Sequence, residues 1–189
     1  MESYRIKVAG VERDLPFVDI ADGLAFASFV IISDTELVSA CAPLLAERIG
    51  HCDAVVTAEA KGIALAYEIS RQLGLKEFIV ARKSVKTYMK DTVSVPVRSI
   101  TTAAEQHLLL DGADGKKIKG KKVCIIDDVV STGESLSALE ELVKAAGADI
   151  VKKVCVLAEG DAAKRDDLIF LERLPLFRKV GENDYEEID

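Results

Sequence analysis

Two adjacent acids followed by a run of small hydroxyl residues mark where chemistry is most legible in this sequence. Val123–Ser135 reads Val-Cys-Ile-Ile-Asp-Asp-Val-Val-Ser-Thr-Gly-Glu-Ser. Val123 to Ile126 are β-branched or small and too few for a buried helix, which fits a strand covered on both faces, as in a parallel sheet. At its carboxyl end stand Asp127 and Asp128, then Val129, Val130, Ser131, Thr132, Gly133, Glu134 and Ser135, then a helical stretch closed by Gly147. Backbone N–H groups converging over Ser131–Ser135 at a helix N-terminus, with the hydroxyls of Ser131, Thr132 and Ser135, make a phosphate cradle. Carboxylates accept hydrogen bonds from a vicinal diol but repel a phosphate, so acids beside such a cup suit a ligand carrying both groups. A ribose 5-phosphate carries both. The plainer alternative is a buried strand, a solvated acid pair and an ordinary helix cap from Ser131 or Thr132. The order of strand, acids, cup and helix is the context that favours the phosphate.

A second unit repeats that logic upstream. Ala54–Ala58 reads as a short buried strand, Glu59-Ala60-Lys61-Gly62 as a loop, Ile63–Leu73 as an amphipathic helix ending at Gly74, and Phe78–Ala81 as another strand. A loop with a lysine and a glycine between strand and helix can hold a second anion, although alone it is equally an ordinary loop. Arg82, Lys83 and Lys86 follow the next strand at once, at the carboxyl edge where ligands collect in open α/β sheets.

The thirteen residues Val123–Ser135 resemble the phosphoribosyl-pyrophosphate signature of the type I phosphoribosyltransferases, with hydrophobic run, Asp-Asp, Thr-Gly and closing hydroxyl all in step. Glu59, Ala60, Lys61 and Gly62 resemble the family's pyrophosphate loop, and Arg82, Lys83 and Lys86 match cations that serve the pyrophosphate in its purine-type members. The resemblance implies an α/β fold, a mostly parallel five-stranded sheet flanked by helices, with a small N-terminal hood that chooses the base. It implies transfer of 5-phosphoribosyl from phosphoribosyl pyrophosphate to a purine base. Asp127 and Asp128 would then hold the ribose hydroxyls and favour a cationic sugar, while Val129 to Ser135 complete the 5-phosphate site. Magnesium is the implied cofactor, carried mainly on substrate oxygens and water with no direct protein ligand. Phe26, Phe29 and Val129 are the candidates for the base, although the two phenylalanines also suit a plain core.

The resemblance also frames what differs. Adenine-specific members carry a glutamate early in the return of their lid loop, where Thr101 or Thr102 stands here; Glu105 is the nearest acid and the candidate proton-handling residue. Xanthine members place a lysine after a glutamate on the strand following the signature, whereas here Glu159 is followed by Gly160. Adenine is therefore the favoured base and xanthine or another oxopurine the alternative. The same fold also serves as a phosphoribosyl-pyrophosphate sensor in some transcription regulators, but no basic DNA-reading element is visible here. A nucleotide-binding module sharing only the geometry is a third reading. A homodimer is expected by resemblance.

The rest of the chain must position these groups. With 189 residues it makes one compact unit, divided here into a hood over residues 1–35, a core over 36–180 and an acidic tail over 181–189. Hydrophobic residues make up 49%, which excludes wholesale disorder, and no apolar run reaches the ~18 residues of a membrane span. The beginning of the chain shows no apolar export segment, so a cytoplasmic location with no membrane partner is expected. A net charge of −7 argues against nucleic-acid binding. Cys41, Cys52, Cys124 and Cys155 read as reduced core residues, and His51 and His107 lack metal-ligand spacing. Tyr4–Val8 and Val11–Val18 read as a small β element, and Ser33 to Glu36 as a capping box opening a helix to about Ile49. Residues 84 to about 107 show no sustained period and suit a lid. Asp111–Lys122 reads as an exposed turn, Ile150–Ala158 as a strand, Ala162–Leu168 as a short helix, Ile169–Phe177 as one extended piece and Gly181–Asp189 as a loose tail.

Overall fold

The computed structural model describes residues 3–20, 23–97, 106–182 and 184–188. The chain opens with β1 (Ser3–Val8) and β2 (Val11–Asp19), an antiparallel pair, and β3 (Leu24–Ala27) pairs antiparallel with β2. Helix α1 (Thr35–Ile49) follows. Its cap is Asp34 and not the Ser33 of the expected capping box: Asp34 Oδ1 accepts the Leu37 N–H at 3.0 Å. Arg13 of β2 donates to the same carboxylate at 2.7 and 2.9 Å, so one aspartate both starts the helix and ties the first strands to the core. That forked hydrogen bond holds the Asp34 carboxyl below its ordinary range.

β4 (Ala54–Ala58), α2 (Ile63–Gln72) and β5 (Ile79–Ala81) form the expected β-α-β unit with parallel strands. Within and just beyond the stretch expected to be a lid, β6 (Val93–Val97) pairs antiparallel with β7 (Gln106–Leu110), with Val97 opposite Gln106. Residues 98–105, which include Thr101, Thr102 and Glu105, lie outside the described residues. The Gly- and Lys-rich stretch read as a turn is a helix, α3 (Gly112–Ile118). Its first glycine serves close packing, since a Cβ on Gly112 would stand 2.6 Å from the Lys90 carbonyl oxygen.

β8 (Lys122–Val130), α4 (Glu134–Ala145) and β9 (Asp149–Glu159) follow, and β9 ends in a 3-10 turn, Gly160–Lys164, in place of the expected helix over 162–168. The last extended stretch is split at Pro175 into β10 (Glu172–Leu174) and β11 (Leu176–Lys179), which join different sheets. β12 (Tyr185–Glu187) pairs with β11, so the acidic tail is built into the fold.

Two five-stranded sheets result. The core sheet, in the order β10-β9-β8-β4-β5, is parallel throughout, as expected. Val123 to Ile126 and Val154 to Ala158 are fully buried in it, which explains their unbroken apolar runs. Helices α1 and α2 pack one face, α3 and α4 the other. The hood sheet, in the order β1-β2-β3-β11-β12, is antiparallel and closed by both ends of the chain. All four cysteines are free and buried, and burial pushes the Cys41 and Cys52 thiols up. Among the described residues no helix is long and apolar enough to cross a membrane.

Aromatic rings join the hood's two halves. Phe177 of β11 lies 5.1 Å from Tyr4 and 4.8 Å from Phe17, ring centre to ring centre, and Phe17 stacks on Tyr185 at 4.0 Å. Phe177→Ala is expected to cost about 3–5 kcal/mol in chemical denaturation, the range for emptying a buried aromatic site. A loss typical of an exposed residue would show that the C-terminal strands do not secure the hood.

Candidate active site

The carboxyl ends of β4 and β8 lie side by side, with Thr57 opposite Ile126, so the loops that follow them face each other. β8 delivers Asp127 and Asp128. Asp127 Oδ1 accepts the Asp128 N–H at 2.9 Å, and Asp128 is only 5% exposed. Asp128 Oδ2 lies 3.7 Å from Lys61 Nζ and has no hydrogen-bond partner although it is buried. A buried acceptor left unmade costs about 1–3 kcal/mol, so this carboxylate is held in wait of a donor. Burial first, and the Asp128 charge second, push the Asp127 carboxyl well above its ordinary value.

Beyond the acids the chain turns into α4. Gly133 starts the helix with φ +82°, a left-handed conformation that suits glycine, and as the N-cap it offers no side chain to the first-turn amides. The helix therefore begins with amides that a ligand can take up. Ser131, Thr132 and Ser135 are exposed at this turn, and Thr132 Oγ1 meets the Glu134 N–H at 3.5 Å. Acids and cup line one cavity of about 210 Å³, together with Lys61 and Lys83.

The Glu59–Gly62 loop lies against this cavity. A Cβ on Gly62 would stand 2.4 Å from Thr57 Oγ1, so only glycine lets the loop come this close. The Glu59–Ala60 peptide bond is cis. Both Glu59 oxygens are engaged, one by the Lys83 N–H at 2.6 Å and the other by Arg82 at 3.0 Å. Glu59 thus braces the ends of β4 and β5 so that Lys61 and Lys83 face the same space. Arg82, held by Glu59 and by Tyr88 Oη at 3.3 Å, and Lys86, bonded to Ser84 Oγ at 2.7 Å, do not line the cavity.

A second cavity of about 570 Å³ adjoins the first and shares Lys61, Asp128, Val129, Ser131 and Thr132 with it. Phe26 and Phe29 line it from the hood; Phe29 is buried in the core cluster as well, so the two readings of these rings hold together. Leu174 and Leu176 from the C-terminal strands, Glu159 at the end of β9 and Asp161 of the 3-10 turn also line it. Sequence reasoning used Glu159 only to weigh xanthine against adenine and did not place these four in the site, as it did not place Val97, Gln106 and Leu108 of β6 and β7 beside the first cavity. Extending the strand-end rule to β9 would have found Glu159; nothing local marked the leucines. Among the described residues no group of three or more His, Cys, Asp or Glu is placed to hold a metal by itself.

A pair of acids beside an anion cup, with lysines on the same cavity and a largely apolar chamber next door, is an arrangement that can take a phosphorylated sugar and a ring. The phosphoribosyl transferase domain model matches residues 32–174, and the chain belongs to the type I phosphoribosyltransferase family. A hypoxanthine/guanine phosphoribosyltransferase from Methanococcus voltae is 36% identical over 147 residues, 77% of this chain and 71% of that one. For the corresponding enzyme of Methanococcus vannielii, 38% identical over 110 residues, the match covers 58% of this chain and little more than half, 55%, of the relative. The solved structure of an adenine phosphoribosyltransferase from Thermoanaerobacter pseudethanolicus superposes with a TM-score of 0.65 over 91% of this chain and 95% of that one, at 19% identity, a likeness of fold.

The raised Asp127 carboxyl has a consequence for the empty protein. The folded state holds a proton that the unfolded chain has already lost, so stability falls as pH rises above the ordinary carboxylate range. Asp127→Asn should therefore raise the melting temperature at about pH 8, by about 2–4 °C for each kcal/mol of repulsion removed, with a smaller gain near pH 4. Thermal melts showing an equal gain at both pH values would remove the charge from the explanation.

Proposed function

We propose that this chain is a purine phosphoribosyltransferase, joining a purine ring nitrogen to C1 of phosphoribosyl pyrophosphate and releasing pyrophosphate and a nucleoside 5′-monophosphate. The observation that carries the reading is the joined pair of cavities: the buried Asp128 Oδ2, paired with Lys61 but without a hydrogen bond, stands on their shared wall, between the phosphate cup and the chamber lined by Phe26 and Phe29.

The residues divide the work by charge. Ser131–Ser135 anchor the 5-phosphate and so fix the sugar. Asp127 and Asp128 accept the ribose hydroxyls and favour the positive charge that grows on the sugar as its C1–O bond breaks. Lys61 and Lys83 face the same cavity and balance the charge that collects on the departing pyrophosphate. Magnesium, brought on the substrate's oxygens, would add further charge neutralisation, and the acid pair with its open Oδ2 fits such an ion through water better than a dedicated cage.

Adenine is the favoured base. The base chamber offers carboxylates, Glu159 and Asp161, which suit an exocyclic amino donor, and Lys61 on the shared wall is its one cation among the described lining residues. The 36% identity to an enzyme named for hypoxanthine and guanine supports the second reading, an oxopurine substrate. Incubation with phosphoribosyl pyrophosphate, magnesium and each purine in turn, followed by pyrophosphate release, should show turnover with one or more purines and fastest with adenine. Binding without turnover would point to a sensor. Asp128→Asn should lower kcat by about 100-fold or more while the protein stays folded, the scale for losing one charged contact in a closed site. Near-normal turnover in that variant would take Asp128 out of the reaction.

A further inference from the structure

Behind the phosphate cup stands a guanidinium that the reaction as described does not use. A Cβ built on Gly133 would meet Arg165 Nη1 at 2.9 Å, so this nitrogen packs directly against the turn that opens α4. It is held there from its other edge. Arg165 Nε and Nη2 donate to the two oxygens of Asp167, both at 2.9 Å. Asp167 also accepts from Lys153 of β9, and Lys153 pairs with Glu140 of α4 at 3.1 Å. These pairs tie β9 and α4 to the segment after the 3-10 turn, and Lys144 of α4 joins them on Glu140 at 3.5 Å, so three cations meet two carboxylates. Asp167 occupies the Nε and Nη2 edge of Arg165, which leaves Nη1 as the pole nearest Gly133.

We infer that Arg165 is a positioning residue for the sugar's 5-phosphate: braced by Asp167, its Nη1 edge buttresses the Gly133 turn and sets a fixed positive charge behind the amides that receive the phosphate. Neither Arg165 nor Asp167 lines either cavity, so the effect passes through the turn and the field and not through direct contact. Arginine suits this task because one edge of its planar fork can be clamped while the other is presented, which a lysine cannot do. The inference rests on the phosphoribosyl reading of the site and adds to it the residue that tunes the phosphate half.

Calorimetric titration with ribose 5-phosphate and, separately, with magnesium pyrophosphate tests it on the wild type, Arg165→Met, Arg165→Lys and Asp167→Asn, each first checked by thermal melting. Methionine keeps the length of the stem and removes the charge. Arg165→Met should bind ribose 5-phosphate about tenfold more weakly, at the upper end of what a charge at a helix terminus contributes. Its pyrophosphate affinity should stay that of the wild type, and in turnover KM for phosphoribosyl pyrophosphate should rise with kcat nearly held. Arg165→Lys should recover part of the loss by keeping the charge, and Asp167→Asn should fall between by freeing the fork. Unchanged ribose 5-phosphate affinity in a folded Arg165→Met protein overturns the inference, as does an equal loss for both probes. Should Arg165→Met not fold, wild-type affinities in both Arg165→Lys and Asp167→Asn overturn it. A wild type that binds neither probe overturns the phosphoribosyl reading itself, and the inference with it.

Discussion

Two carboxylates placed side by side at the end of a strand buried on both faces repel each other, and most of the surrounding architecture answers that repulsion. Asp127 is driven toward its neutral form by burial and by its neighbour, while Asp128 keeps one oxygen without a hydrogen bond and Lys61 at 3.7 Å. In an empty site such a pair is a burden. In a site filled by a sugar it becomes useful, because a diol donates to the acids and a sugar losing its leaving group turns positive between them.

The parallel sheet makes the juxtaposition unavoidable. With β4 and β8 as neighbours in one direction, the loops after both strands open on the same edge, and Gly62 lets them approach until Lys61 reaches the acid pair. Glu59 fastens the next strand end to this group, so the cation-bearing side is assembled from β4 and β5 and the acid-bearing side from β8. The hood then roofs the far side with Phe26 and Phe29, anchored to the core through the forked pair of Arg13 and Asp34. Cup, cations and chamber come from separate stretches of chain that the fold brings to one edge.

How much of this the sequence disclosed follows from how local each signal is. The strand, acids and cup of Val123–Ser135 are consecutive, so their chemistry could be read in place, and the same holds for the β-α-β unit around Lys61. The pairing of β6 and β7 was harder: Pro96 interrupts an otherwise alternating run, and it is tolerated because β6 pairs on one side only. Helix α3 was hidden by glycines that usually mark turns, of which Gly112 here lets the helix start pack against the backbone of Lys90 and Asp91. The hood's closure was invisible for a different reason. β3 and β11 meet across most of the chain's length, and no short-range pattern announces that the last strands return to the first. The second cavity inherits part of that blindness, since Leu174 and Leu176 of its wall come from the returning segment.

The most direct test of the acid pair and cup as one sugar-phosphate site is a crystal structure of the protein with phosphoribosyl pyrophosphate and magnesium. The ribose hydroxyls should lie on Asp127 and Asp128, with Asp128 Oδ2 now hydrogen-bonded, and the 5-phosphate should sit on the amides of Ser131–Ser135. A complex in which Asp128 Oδ2 stays without a hydrogen bond, or in which the 5-phosphate lies at the Lys61 loop and the cup stays empty, would contradict the account.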